Sequence, residues 1–186
     1  MPVFPRCLLD FLASPHVYKV GVNIQNDCKK LFKDYGVSVC GCVDLSLLAR
    51  SCDPQWKGPY SNDIGLSRLT STYLGLRLSK GPVRTSNWES ELTPLQVDYA
   101  ANDCTSALVV YYKLMARLIV MDPTPDAECF MFDVIGGALR VTGDPVGRLW
   151  FPYNPQYDPG PPPIRKIDST AEKDSEMEKD GSGESA

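Results

Sequence analysis

An α/β fold is the expectation for this chain, and three observations carry it. Candidate elements follow in the order helix, strand, helix, strand, helix, helix, which favours parallel strand pairing across helical crossovers. The stretch VYKVGV at 17–22 alternates Tyr18, Val20 and Val22 onto one face and is rich in β-branched and aromatic residues. The stretch from Thr93 to Ile119 opens with a capping signal and then repeats apolar residues at steps of three and four. The 186 residues suffice for one domain with a sizeable core.

Each element has a local reason. Residues 6–13 carry Leu8, Leu9, Phe11 and Leu12 at helical spacing and stop before Pro15. After the first strand, NDCKKLFKDYG at 26–36 predicts a short helix with Cys28, Leu31 and Phe32 inward and Gly36 as its stop. VSVCGCVDLSLLA at 37–49 predicts a strand running into a helical turn, with Asp44 as a local cap. Proline, glycine and asparagine make 51–63 a loop. A helix follows at 64–76, with Leu66, Leu69, Tyr73 and Leu74 inward and Gly75 near its end. Another loop, 77–91, leads to the long helix. Thr93, Pro94 and Gln96 form its capping box, with proline at the first helical position. Val97, Ala101, Cys104, Leu108, Tyr111 and Met115 then share a face, which puts Tyr99 and Asp103 one turn apart on nearly the opposite side. Two strands are too few for a sheet that buries both faces.

Past Met121 the character changes. DPTPDAE is a proline-rich acidic connector, and CFMFDVIGGALRVTG at 129–143 suits a hairpin about Gly136-Gly137. WFPYNPQYDPGPPPIRK at 150–166 reads as extended polyproline II, and the last twenty residues, nearly free of apolar side chains, read as disordered. This predicts a domain over 1–121, a linker with a hairpin over 122–149 and a proline-rich, acidic tail over 150–186.

Composition narrows the function classes. No stretch approaches the ~20 apolar residues of a membrane span, and MPVFPRCLLDFLASP lacks the charged start and cleavage site of a signal peptide. Seven scattered cysteines suit a reducing compartment, nuclear or cytoplasmic, better than a disulfide framework. Up to Met121 there are 13 Lys and Arg against 10 Asp and Glu, and beyond it 6 against 13, so a mildly basic body precedes an acidic tail. That balance permits a polyanionic partner. His16 is the only histidine, and no G-x-S-x-G accompanies it, which removes the usual nucleophilic triads. Cys40-Gly41-Cys42 has an unusual spacing for zinc and reads as core packing, while Trp88 reads as a core anchor.

Three blocks in order then narrow the family: KVGVNIQNDCKKLFKDYG, VDLSLLA and GLSRLTSTYLGLRLSKGPVRTSNWESELTPLQVDYAANDC. Together they resemble the 3′–5′ exonuclease domain of the RNase D and Werner-syndrome exonuclease type, in the DEDD superfamily, over about Val3 to Leu118. The resemblance implies an RNase H-like α/β fold and hydrolysis of DNA or RNA from the 3′ end by two Mg²⁺ or Mn²⁺ ions. Hard cations prefer oxygen ligands, which is why such a site is built from carboxylates. It further implies that Asp27 and Asp103 are metal ligands and that Tyr99 positions the attacking water. Without the resemblance, Asp27 reads as a first-turn charge favoured by the helix dipole. Lys80 and Arg84, before Ser86-Asn87-Trp88, read equally as a solvated loop or, on the resemblance, as phosphate contacts.

The same resemblance exposes a gap. The family's Asp-x-Glu on its first strand has no counterpart here, so an N-terminally truncated fold missing the first three strands is expected. Asp126-Ala127-Glu128 has the spacing but sits in the proline-rich connector, Asp174-Ser175-Glu176 lies in the tail, and Asp10 is followed two residues on by Leu12. Two carboxylates in place of four bind Mg²⁺ poorly. The expected function is therefore that of a 3′–5′ exonuclease-family protein with an incomplete catalytic set. The alternative is a non-catalytic nucleic-acid-binding or protein-interaction module, with the proline-rich tail as its protein contact.

Overall fold

The computed structural model describes residues 4–59, 62, 64–78, 81–152 and 159. The elements expected up to residue 119 are present. Helix α1 spans Arg6–Ala13, strand β1 Lys19–Gly21, helix α2 Ile24–Tyr35, strand β2 Val39–Asp44, helix α3 Leu45–Cys52, helix α4 Leu66–Leu74 and helix α5 Pro94–Leu118. Short 3-10 turns fill the two loops, at Pro54–Trp56 and Pro82–Thr85. Strands β1 and β2 pair in parallel, Lys19 with Cys42 and Gly21 with Asp44, across the α2 crossover. The Asp44 cap is present: its carboxylate accepts the Ser46 and Leu47 backbone N–H groups. Cys28 and Cys42 are buried with Sγ atoms 3.7 Å apart, as core packing requires. No group of three metal-ligating side chains forms among the described residues.

The segment read as a linker does more than connect. Strands β3 (Met131–Ile135) and β4 (Ala138–Arg140) form the expected hairpin, with Gly136 and Gly137 at φ 61° and 77°. A two-residue turn with both φ values positive matches strand twist, and glycine adopts it without strain. Strand β3 pairs antiparallel with the free edge of β2, completing a sheet in the order β1-β2-β3-β4. Phe130, Phe132, Val134 and Val141 enter the core, and so does Trp150, whose ring centroid lies 4.6 Å from that of Phe132. The reason is the shortage noted in the sequence: two strands leave an apolar face and edge open, and the hairpin covers them. The proline-rich and acidic tail beyond Pro152 lies outside the described residues, apart from position 159.

Two details fix the sheet. At Gly41 (φ 66°) the β2–β3 register shifts, and the buried Asp133 carboxylate accepts the Gly41 N–H at 2.7 Å. The Lys19 side chain is buried. Its ammonium donates to the carbonyls of Ser14 and Val17 at 2.7 Å and of Phe11 at 3.4 Å, and so caps the end of α1.

Helix α5 requires a correction. Its buried residues are Gln96, Ser106, Ala107, Val110, Leu114 and Leu118. Val97 is 51% and Leu108 45% exposed, so the stripe expected to face the core mostly faces solvent; only Tyr111 and Met115 are packed against it. The helix carries two apolar stripes, and 3.6-residue periodicity alone does not choose between them. Tyr99 and Asp103 consequently lie on the inward side. Seven residues are about 20° short of two full turns, so Asp103 stands nearly in line with Val110. No helix among the described residues is long and apolar enough to cross a membrane.

Candidate active site

Helix α5 buries its inward stripe from Ser106 onward, but one and two turns earlier the same stripe opens into a cleft. The cleft holds about 830 Å³ between α4, the turn at Pro82–Thr85 and α5, and its walls include Tyr99, Asp103 and Arg84. A second cleft of about 440 Å³ meets it at Tyr99 and Asp103 and is partly apolar, with Leu76, Leu78, Val83 and Leu95. A carboxylate on an inward stripe at the rim of a cleft is held in place and still reachable.

The two side chains interact. Tyr99 and Asp103 stand one turn apart, and each acts electrostatically on the other. Burial pushes the Asp103 carboxyl above the ordinary carboxylate range, and the neighbouring Tyr99 hydroxyl offsets part of that rise. The Tyr99 phenol is raised by burial and by the Asp103 charge, against a smaller lowering by Arg84. The folded state thus favours protonated Asp103, and its ionised form lowers stability at neutral pH. Asp103→Asn is therefore expected to raise Tm at pH 7, by a margin that shrinks as pH falls toward 4. Calorimetry at both values checks it, and a lower Tm at pH 7 would contradict it.

The start of α5 positions the pair. The capping box is formed: Gln96 N–H reaches the Thr93 hydroxyl, and Thr93 N–H donates to Gln96 Oε1 at 2.8 Å. Buried Gln96 also donates from Nε2 to the Ser86 hydroxyl at 3.0 Å and the Asn87 carbonyl at 2.9 Å. One side chain thereby ties the Ser86-Asn87-Trp88 loop to the first turn of the helix. The tie explains Trp88, which is 38% exposed and not the expected core anchor. Its ring instead meets Tyr99 edge-on, centroids 6.1 Å apart, and fixes the phenol from outside. The capping pattern was legible in the sequence; the second use of Gln96 was not, because it depends on the loop returning to the helix.

Asp27 lies elsewhere. It is exposed in the first turn of α2, where the helix dipole favours an acid, and it lines neither cleft. Lys80 lies outside the described residues. Of the five residues singled out, the structure brings together Tyr99, Asp103 and Arg84.

A family model described as 3′-5′ exonuclease matches residues 6–119. The chain belongs to the 3′-5′ exonuclease family. Its architecture is accordingly an exonuclease-type, RNase H-like α/β fold, and strands β3 and β4 lie past the matched region. The chain is similar to the mouse Exonuclease 3'-5' domain-containing protein 2, at 41% identity over 113 residues, 60% of this chain and 17% of that protein. It is also similar to the mouse Bifunctional 3'-5' exonuclease/ATP-dependent helicase WRN, at 34% identity over 119 residues, 61% of this chain and 8% of the relative. The chain thus spans under a fifth of the length of these curated relatives. A solved structure described as the apo form of the nuclease is 29% identical, covers 60% of this chain and 52% of its own, and superposes with a TM-score of 0.51.

Proposed function

We propose that this exonuclease-family chain engages the 3′ ends of DNA or RNA at the Tyr99–Asp103 cleft, as one half of a 3′–5′ exonuclease site. The observation that carries the reading is the pairing of Tyr99 and Asp103 one turn apart on the inward stripe of α5, both lining a cleft that Arg84 also lines. The residue types suit the chemistry: an acid for a hard divalent cation and a phenol beside it to orient a water.

The described residues do not fit two Mg²⁺ or Mn²⁺ ions by themselves. Asp27 and Asp103 share no cleft, and no cluster of three ligating side chains forms among these residues. No hydrolytic step is assigned to them for that reason. The second reading is a nucleic-acid-binding module without turnover. Seven free thiols support a nuclear or cytoplasmic setting.

One experiment tests the reading. The chain is incubated with a 3′-labelled single strand in Mg²⁺, in Mn²⁺ and in EDTA, and both bound strand and released mononucleotide are measured. The expected result is binding in all three conditions and no mononucleotide above the metal-only blank. Release that disappears in Asp103→Asn would show that a complete site assembles, and would overturn the assignment of this chain to one half of it. Absence of strand binding in every condition would overturn the nucleic-acid reading.

A further inference from the structure

Three arginines line the larger cleft from different elements: Arg68 from the first turns of α4, Arg77 just past its Gly75 end and Arg84 from the 3-10 turn at Pro82–Thr85. Arg77 lines the second cleft as well. Among the described residues that line the larger cleft, one carboxylate, Asp103, stands against these three cations. Gathering like charges in a concave, partly apolar space has a repulsive cost that an anionic ligand relieves.

The three guanidinium groups are not consumed within the fold. Among the described residues the ion pairs involve Arg6, Lys30, Arg117 and Arg148, and none of the cleft arginines. No arginine charge acts on the Asp103 carboxyl, so these cations do not serve to neutralise it. Arg68 instead sits over the Trp56 ring, its guanidinium carbon 4.9 Å from the ring centroid. A contact of this kind restrains the side chain and leaves guanidinium N–H donors available. The planar guanidinium fork matches phosphate oxygens.

We propose that Arg68 and Arg77, together with Arg84, form a cradle for successive phosphates of a nucleic-acid strand beside Asp103. The inference rests on the nucleic-acid reading above and assigns the groups that would hold the strand there. The strand's phosphates bind to the arginine walls, and its terminal linkage lies next to Tyr99 and Asp103. Because the cradle is built from arginine, it works without a metal ion and its strength falls with salt.

The test uses the full chain in EDTA. Anisotropy of a labelled single-stranded oligonucleotide is recorded between 50 and 200 mM salt, roughly the range over which phosphate contacts are most salt-sensitive. Arg68→Ala and Arg77→Ala are each expected to weaken binding by roughly 5- to 10-fold and to lower the salt slope by about one. Arg68→Lys and Arg77→Lys are expected to recover most of the salt slope but only part of the affinity. Arg6→Ala, on α1 and paired with Asp10, serves as the control and is expected to change nothing. Each variant's Tm is checked against the parent chain. A parent chain that binds while both alanine variants match it would overturn the cradle and leave the nucleic-acid reading in place. A parent chain that ignores the oligonucleotide but binds inorganic tripolyphosphate through Arg68 and Arg77 would keep the anion cradle and overturn the nucleic-acid reading. Binding of neither probe would overturn both.

Discussion

A chain ended after Met121 is expected not to fold cooperatively. It would retain every residue matched by the family model, yet lose β3, β4 and Trp150. Phe130, Phe132, Val134, Val141 and Trp150 are each buried. Burial of one large apolar side chain contributes ~1.5–3 kcal/mol, so their joint loss matches the whole ~5–15 kcal/mol stability of an ordinary domain. The truncation would also strip the hydrogen-bonded neighbour from β2 and remove Asp133, the acceptor of the Gly41 N–H. Phe132→Ala gives the graded version. Its ring is fully buried against Trp150 and it pairs with Cys42, so a loss of ~3–5 kcal/mol is expected. Urea unfolding followed by circular dichroism reads both. A sigmoidal transition with an unchanged midpoint in the shortened chain would refute the structural role given to the hairpin.

The second large effect is expected at Asp53. Its buried carboxylate accepts from the Gln55 side chain at 2.6 Å and the Tyr73 hydroxyl at 2.8 Å, and Arg117 approaches to 3.2 Å. The Trp56 indole N–H donates to the same Tyr73 hydroxyl at 2.7 Å. One acid therefore joins the end of α3 to the last turns of α4 and α5. Asp53→Ala strands several polar groups together, and a loss of ~2–4 kcal/mol is expected. Because α4 forms a wall of the cleft and Trp56 holds Arg68, strand affinity is expected to fall with it. The pH dependence has a defined sign. Burial raises the Asp53 carboxyl, but hydrogen bonds from Gln55 and Tyr73 and the Arg117 charge outweigh it, leaving the group below its ordinary value. A depressed value contributes stability above the unfolded pKa of about 3.9 and loses it as pH falls through the folded value. The difference between the parent chain and Asp53→Asn should hold steady from pH 5 to 8 and narrow below about pH 4. A gap that stays constant down to pH 3 would contradict the lowered carboxyl.

Much of this molecule was legible locally. Thr93, Pro94 and Gln96 announce the start of α5, Gly36 and Gly75 end α2 and α4, Asp44 caps α3, and Gly136-Gly137 makes a hairpin turn. These signals depend on a few neighbouring residues and on backbone geometry, so sequence specifies them directly. The ordered blocks around Tyr99 and Asp103 likewise carried the family.

The faces and partners were not legible in that way. Helix α5 has apolar residues on two sides, and only its packing against α3, α4 and β1 selects Val110 and Leu114 over Val97 and Leu108. That choice turns Tyr99 and Asp103 inward to a cleft, whereas periodicity placed them on the far side. It also decides the hairpin: CFMFDVIGG is a turn with apolar arms until β2 presents an unpaired edge for it to complete. The cleft itself depends on Arg68, Arg77 and Arg84, spread over seventeen positions of sequence and joined only when α4 returns against α5. Sequence alone determined the elements, their caps and the family. Tertiary structure decided which side of each element faces which neighbour, because burial is a property of the whole packed chain and not of any short stretch of it.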